Sequence, residues 1–292
     1  MTAGAALAGA AEWLGTRLDA ELLLAHVLDL ARSSVVARDD RILTPEEQGD
    51  FETLIARRVA GEPLAYLTGT KEFWSLELAV SKHVLVPRPE TELLVEWALS
   101  SPPRKRGPSW SVLDIGTGSG AIALAIAKEC PQAAVVATDV SVAALAVARR
   151  NAKVHRIVNV TFVEADLLKL DSRFRGHDGH DGAGQFDLIV SNPPYIAEGD
   201  PHLAELKYEP ALALTSGADG LDALRAIVAG APAHLRAGGW LLVEHGAEQG
   251  AAVRELFAAA GFGAIETRRD LAGHERATGG TRSAGRGARE PA

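Results

Sequence analysis

An α/β fold with a largely parallel sheet, behind a small helical segment, is predicted by three features of this chain. From Trp110 onward, short apolar runs alternate with helical patterns, the arrangement that winds a parallel sheet. Gly116-Thr117-Gly118-Ser119-Gly120 joins one such run to a helix of good formers. Asn192-Pro193-Pro194-Tyr195 directly follows another run, at the carboxyl end of a strand, where open α/β sheets place their ligand crevice.

Taken in order, the segment from about residue 10 to 80 reads as helical at first. Asp19 begins a stripe of Leu22, Leu23, Leu24, Val27 and Leu28. Thr44-Pro45-Glu46-Glu47 supplies an N-cap, Pro at the first helical position and an acid at the third, opening a helix that runs to Gly61. Lys71 to Val80 looks extended, as a hairpin would, and Pro89 starts a helix holding Leu93, Leu94, Val95 and Trp97. Strands are expected at Trp110–Ile115, Ala134–Thr138, Val160–Glu164, Phe186–Ser191, Gly239–Glu244 and Gly263–Thr267. Helices are expected after the glycines, from Val142 to Asn151 behind the Ser141 cap, and from Glu248 to Ala260. This divides the chain into a helical domain (1–70), a hairpin linker (71–88), an α/β domain (89–280) and a disordered tail (281–292). The tail assignment rests on the Gly, Arg and Ser content after Thr278. Two inserts, 101–109 and 172–185, read as solvated loops; the His and Asp residues of the second invite a metal reading but lack supporting groups.

The tetrad suits the gripping of a planar NH2 group. The lone pair of such a nitrogen is delocalised into its π-system. Acceptors that take both of its hydrogens favour a geometry in which the lone pair points at an electrophile. The Asn192 side-chain oxygen is one acceptor, and a backbone carbonyl beside Pro193 is a second. Pro193 and Pro194 stiffen the loop, and Tyr195 offers a stacking face. An isolated tetrad of this kind reads equally as a Pro-rich turn. The glycines admit a ligand close to the backbone at a helix N-terminus, although tight helix–sheet packing also explains them. Asp139, about 20 residues on, sits where a ribose-binding acid stands, or is a loop carboxylate. Asp166 and Leu167 end the next strand, and by themselves read as plain loop.

Composition narrows the classes. The net charge of −8 argues against duplex DNA as the main partner, so no direct nucleic-acid contact is expected. One cysteine, Cys130, excludes an intrachain disulfide and speaks against a Cys-ligated zinc; no metal is expected. No membrane-spanning run or signal peptide is evident, so a cytoplasmic protein with no membrane partner is expected, as a monomer.

With these residues in hand, the chain resembles the release-factor glutamine methyltransferases of the HemK/PrmC type. The resemblance spans nearly the whole chain. It is carried by Gly61 to Gly69, Glu72-Phe73-Trp74-Ser75-Leu76, Val86 to Glu92, Asp114 to Gly120, Ser191 to Tyr195 and Glu244-His245-Gly246. It implies a Rossmann-like class I methyltransferase sheet of seven mostly parallel strands, with residues 1–70 as a substrate-recognition domain. S-adenosyl-L-methionine is the implied co-substrate, and class-1 peptide chain release factors the implied partner. The implied reaction methylates the side-chain amide nitrogen of the glutamine in their Gly-Gly-Gln loop. Asn192, Pro193 and Tyr195 become the catalytic set, and with Pro194 they bind the acceptor amide. Gly116, Thr117, Gly118, Ser119, Gly120, Asp139, Asp166 and Leu167 line the cofactor, with Asn192, Thr91 and Arg88 toward its methionine end. Leu167 stands where some relatives place an aromatic residue, and the C-terminal tail departs from the family's usual final strand. The alternatives are a glutamine methyltransferase acting on a ribosomal protein, a DNA adenine-N6 methyltransferase, and a non-catalytic module on a degenerate methyltransferase fold.

Overall fold

The computed structural model describes residues 1–100, 110–167 and 186–283. Both inserts and the last nine residues of the tail lie outside the described residues. The chain forms two compact units, Met1–Thr70 and Lys71–Ala292.

The first unit is helical: α1 (Ala3–Leu14), α2 (Arg17–Val27), α3 (Arg32–Val36), α4 (Pro45–Val59) and α5 (Leu64–Thr68). Leu7, Leu23, Leu24 and Phe51 form its buried centre. The start of α4 is the capping box its sequence announces: the Thr44 hydroxyl accepts from the Glu47 N–H, and the Glu47 carboxylate accepts from the Thr44 N–H. Such a cap contributes about 1 kcal/mol. Helix α1 begins earlier than the apolar stripe indicated, because an Ala-rich helix buries a face without a leucine periodicity.

The second unit opens with a hairpin of β1 (Thr70–Phe73) and β2 (Leu76–Ala79). Its two-residue turn, Trp74-Ser75, has φ of +50° and +55°, the left-handed pair that matches the twist of paired strands. A short 3-10 turn at Pro89–Thr91 then leads into α6 (Glu92–Ser100).

The main sheet holds β3 (Ser111–Ile115), β4 (Ala134–Asp139), β5 (Val160–Glu164), β6 (Phe186–Ser191), β7 (Leu235–Glu244), β8 (Phe262–Arg269) and β9 (Glu275–Arg282). Their order is β5-β4-β3-β6-β7-β9-β8, parallel except that β9 runs antiparallel to both neighbours. The helices are α7 (Ala121–Glu129), α8 (Val142–Val154), α9 (Asp222–His234) and α10 (Gly250–Ala259). Successive residues of the central strands serve opposite cores: Val112, Leu188 and Val190 pack with α6 and α7, whereas Leu113 and Ile189 pack with α9 and α10. Strand β6 is buried along its whole length, with Phe186, Leu188, Ile189 and Val190 supplying its apolar side chains.

One expectation is corrected here. Among the described residues the last element is a strand: β9 runs from Glu275 to Arg282, so the stretch after Thr278 that composition reads as a disordered tail is paired in the sheet as far as Arg282. Its glycines misled the composition argument. A Cβ at Gly279 would stand 2.5 Å from a Leu242 methyl carbon and 2.9 Å from the Trp97 ring, and one at Gly280 would stand 2.9 Å from Phe257. The neighbours fill the space that side chains on β9 would otherwise occupy, so small residues here mark close packing rather than disorder.

Candidate functional site

Strand β3 is the point where the sheet's winding reverses: its next strand in sequence, β4, lies on one side and β6 on the other. Ile115 pairs with Ser191 at their carboxyl ends, and the Ser191 hydroxyl donates to the Ile115 carbonyl at 2.8 Å. The glycine-rich turn and the Asn-Pro-Pro-Tyr tetrad, 76 residues apart by that bond, therefore leave the sheet side by side.

Gly116, Gly118 and Gly120 have φ of +71°, +55° and +87°, a conformation that favours glycine. Nothing lies within 4 Å of a Cβ built on Gly116 or Gly118, while one on Gly120 would press on Leu124 and Ala148. The first two keep space open, and the third lets α7 pack. The turn is held by carboxylates. The Thr117 hydroxyl and the Ala123 N–H donate to buried Asp114, and the Gly118 and Ser141 N–H groups donate to Asp139. Burial pushes the Asp114 carboxyl up to about 7 and raises that of Asp139.

These elements surround a cavity of about 430 Å³, within the range of sites for drug-sized molecules. Gly116, Thr117, Gly118, Ser119 and Asp139 line it on one side. Asp166, exposed, and Leu167 line another, the latter at φ +51° and packed on the second core. Thr91, Arg88, Asn192 and Pro194 close it. Gly120 is not among the lining residues; its part is packing. Open space beside two glycines, free of Cβ atoms, together with an acidic acceptor at the end of β4, fits a nucleoside-bearing ligand such as S-adenosylmethionine.

A second cavity of about 90 Å³ adjoins it, lined by Pro193, Tyr195, Ile196, Leu206 and Leu214. Asn192 and Arg88 line both. Arg88 is ion-paired with Glu209, whose other oxygen accepts from the Val86 N–H at 3.0 Å. Tyr195 is anchored at both ends: its carbonyl accepts from Gln249 at 3.0 Å, and its hydroxyl donates to Glu244 at 3.1 Å. Burial and the Glu244 charge raise its phenol further above its usual range.

Three supporting residues gain a role in the site only from the fold, Glu244 although it stands in the Glu244-His245-Gly246 segment. Glu244 and Asn151 are buried, and Glu209 nearly so. Asn151 accepts from the Ala79 N–H and donates to the carbonyls of Ala79 and Ser119, tying the hairpin to the glycine-rich turn. A buried position on a helix face that should be apolar is the one signal that marked it. Among the described residues, no group of three or more His, Cys, Asp or Glu is placed to hold a metal ion, and no helix is long and apolar enough to cross a membrane.

Comparison with known proteins agrees with this geometry. The PrmC N-terminal domain family matches residues 4–69, and the methyltransferase small domain family matches residues 90–207. The chain is similar to a release factor glutamine methyltransferase of Xylella fastidiosa, 50% identical over 280 residues, covering 94% of this chain and 96% of that one. It is likewise similar to one from Burkholderia pseudomallei, 51% identical over 265 residues, covering 90% and 91%. Among solved structures, the hMettl16 catalytic domain aligns with a TM-score of 0.55 at 16% identity, covering 78% of this chain and 82% of that one. A Pyrococcus furiosus methyltransferase aligns at 0.50 and 18% identity, covering 78% and 97%. These two speak for the fold, a class I methyltransferase sheet. Identity of one half across nine-tenths of both chains speaks for more: this chain belongs to the release factor glutamine methyltransferase family.

Proposed function

We propose that the protein transfers a methyl group from S-adenosyl-L-methionine to the side-chain amide nitrogen of the glutamine in the Gly-Gly-Gln motif of class-1 peptide chain release factors. The observation that carries this reading is the place of Asn192 on the wall shared by the two cavities. One cavity has the size and glycine lining for the cofactor. The other has room for a small planar group and is walled by proline and apolar side chains.

When bound, S-adenosylmethionine supplies a methyl group on a positively charged sulfur. In the proposed reaction the N–C bond forms as the S–C bond breaks, the thioether leaves, and the amide proton is released to solvent. The chain's own work is proximity and alignment. Gly116 and Gly118 let the cofactor approach the backbone, and Asp139 accepts from its ribose. Asp166 and Leu167 cover the adenine, while Thr91 and Arg88 border the methionine end. Asn192 accepts one hydrogen of the acceptor amide through its side-chain oxygen, and the Pro193 carbonyl accepts the other. Tyr195, held by Glu244, packs against the amide plane. The helical domain, residues 1–70, contacts the release factor away from the glutamine.

The test is transfer of label from S-adenosylmethionine to a purified class-1 release factor and to its Gln→Ala variant in the Gly-Gly-Gln loop. Label on the unaltered factor alone supports both reaction and acceptor. Label on neither, with cofactor bound, overturns the acceptor assignment and directs the assay to ribosomal proteins.

A further inference from the structure

An asparagine can grip an incoming NH2 group only with its side-chain oxygen toward it. The two ends of its amide are nearly the same shape, so the flipped form fits the same space and presents N–H groups where acceptors are needed. Something behind Asn192 has to choose between them. There the Asn192 Nδ2 donates to the Thr91 hydroxyl at 3.0 Å, and the Thr91 hydroxyl donates to Glu244 Oε2 at 2.7 Å. Glu244 Oε1 accepts from the Tyr195 hydroxyl at 3.1 Å. Thr91 and Glu244 are 4% and 1% exposed, so water does not scramble the chain of donors.

We infer that Glu244, acting through Thr91, is the positioning residue that fixes the polarity of the Asn192 amide, and that protonation of Glu244 releases it. The logic is one of donors and acceptors, and it rests on the proposed amide-methylating role of Asn192. An ionised carboxylate only accepts. The single Thr91 hydroxyl proton therefore goes to Glu244, and the hydroxyl can take only an N–H from Asn192. That leaves Oδ1 facing the acceptor pocket. A protonated Glu244 can donate to Thr91 instead, which frees the hydroxyl proton for Oδ1 and permits the flipped amide.

The surroundings put this change within reach of ordinary pH. Burial pushes the Glu244 carboxyl up to about 7; the Thr91 and Tyr195 hydrogen bonds and Arg276 oppose the rise, and Glu90 adds to it. His245, the next residue along, turns its ring to Thr278 and the Gly246 carbonyl, with burial holding it below the usual histidine range. Arg88 lies on the Tyr195 side.

The experiment compares wild type, Thr91→Val, Thr91→Ser and Glu244→Gln. It reads kcat and KM for the release factor, cofactor affinity, and hydrogen exchange at the Asn192 side-chain amide by 15N NMR. Thr91→Val is expected to lower kcat about 10- to 100-fold, the scale of losing a partner that orients a functional side chain. At saturating cofactor the acceptor KM should stay within about threefold, and Thr91→Ser should restore most of the lost rate. Wild-type kcat should fall on acidification through about 7, and Glu244→Gln should lose that limb. Wild-type kcat in Thr91→Val, or an unchanged acid limb in Glu244→Gln, overturns the inference. If wild type does not label the release factor, the acceptor assignment fails by itself. The NMR arm then decides alone: a slowly exchanging Asn192 proton that Thr91→Val exposes supports the inference, and equal exchange in both proteins overturns it.

Discussion

The turn after β3 and the corner after β6 end neighbouring strands, yet they reach their geometry by different routes. In the turn, Thr117, Ala123 and Gly118 bond to carboxylates 3, 9 and 21 residues away. In the corner, Asn192 bonds to a hydroxyl 101 residues away, and that hydroxyl to a carboxylate 153 residues away. The turn is a local object that one strand–turn–helix unit and the following strand complete. The corner exists only after the whole sheet has formed, because β7 delivers Glu244 and the turn before α6 delivers Thr91. The lesson is a division of labour: local geometry serves binding, which tolerates small displacements, and the globally assembled corner serves alignment, which does not.

The largest expected effect tests that division directly. Asn192→Ala should lower kcat about 1,000-fold, roughly 4 kcal/mol of alignment, while cofactor affinity measured by calorimetry stays within about threefold. Equal losses in both would show that the two regions act as one unit. Next, Gly279→Val should lower stability in urea melts by about 3 kcal/mol, since the new side chain meets Leu242 and Trp97 in a filled interior. Strand β9 pairs with β7 up to Glu244, so this substitution should also disturb the corner before it disturbs the turn. A variant as stable as wild type would mean that β9 is dispensable to the sheet.

How much of this was legible follows from the same contrast. The glycine-rich turn, Asp139 and the tetrad announce themselves because their residue types stand in register with apolar strands. Hairpin, capping box and central strands were legible for the same reason, as contiguous patterns. The part Glu244 plays was not: it stands in the Glu244-His245-Gly246 segment, but a carboxylate at the end of an apolar strand looks like a strand boundary until the fold brings Thr91 and Tyr195 to it. Asn151 was hidden in a helix, its backbone partners 72 and 32 residues away. Strand β9 was missed because composition treats glycine as looseness. Its glycines are where Leu242, Trp97 and Phe257 intrude, a fact about neighbours and not about the strand.

Each region also buries one carboxylate, and here they can be compared by titration. Burial raises Asp114 from 3.8 and Glu244 from 4.5, both to about 7. Folded protein therefore holds more protons than unfolded chain between those values, so stability is greatest below about 4 on this account and falls as pH rises through about 7. The expected loss for the cofactor-free protein, from pH 5 to pH 8, is about 5 kcal/mol, shared nearly equally by the two carboxylates, by thermal or urea melts. Asp114→Asn should flatten part of that slope without touching the acid limb of kcat, and Glu244→Gln should affect both. A slope of opposite sign would show that these carboxylates stay ionised in the fold.

The smallest expected effect probes the turn at its most exposed point. Gly118 has φ of +55°, its N–H is held by Asp139, and open space lies where a side chain would project. Alanine there meets no neighbour in the free protein, so the fold should survive with a penalty of about 1 kcal/mol for the left-handed backbone. Relaxing that strain draws the turn away from the geometry that admits the cofactor, and the new methyl group points into the cavity that receives it. Cofactor affinity should therefore drop about 10-fold, with kcat at saturation unchanged because Asn192 and its support are untouched. A fall in kcat without a fall in affinity would reverse the assignment: the turn would then be aligning the reacting groups, and binding and alignment would not be separable in this site.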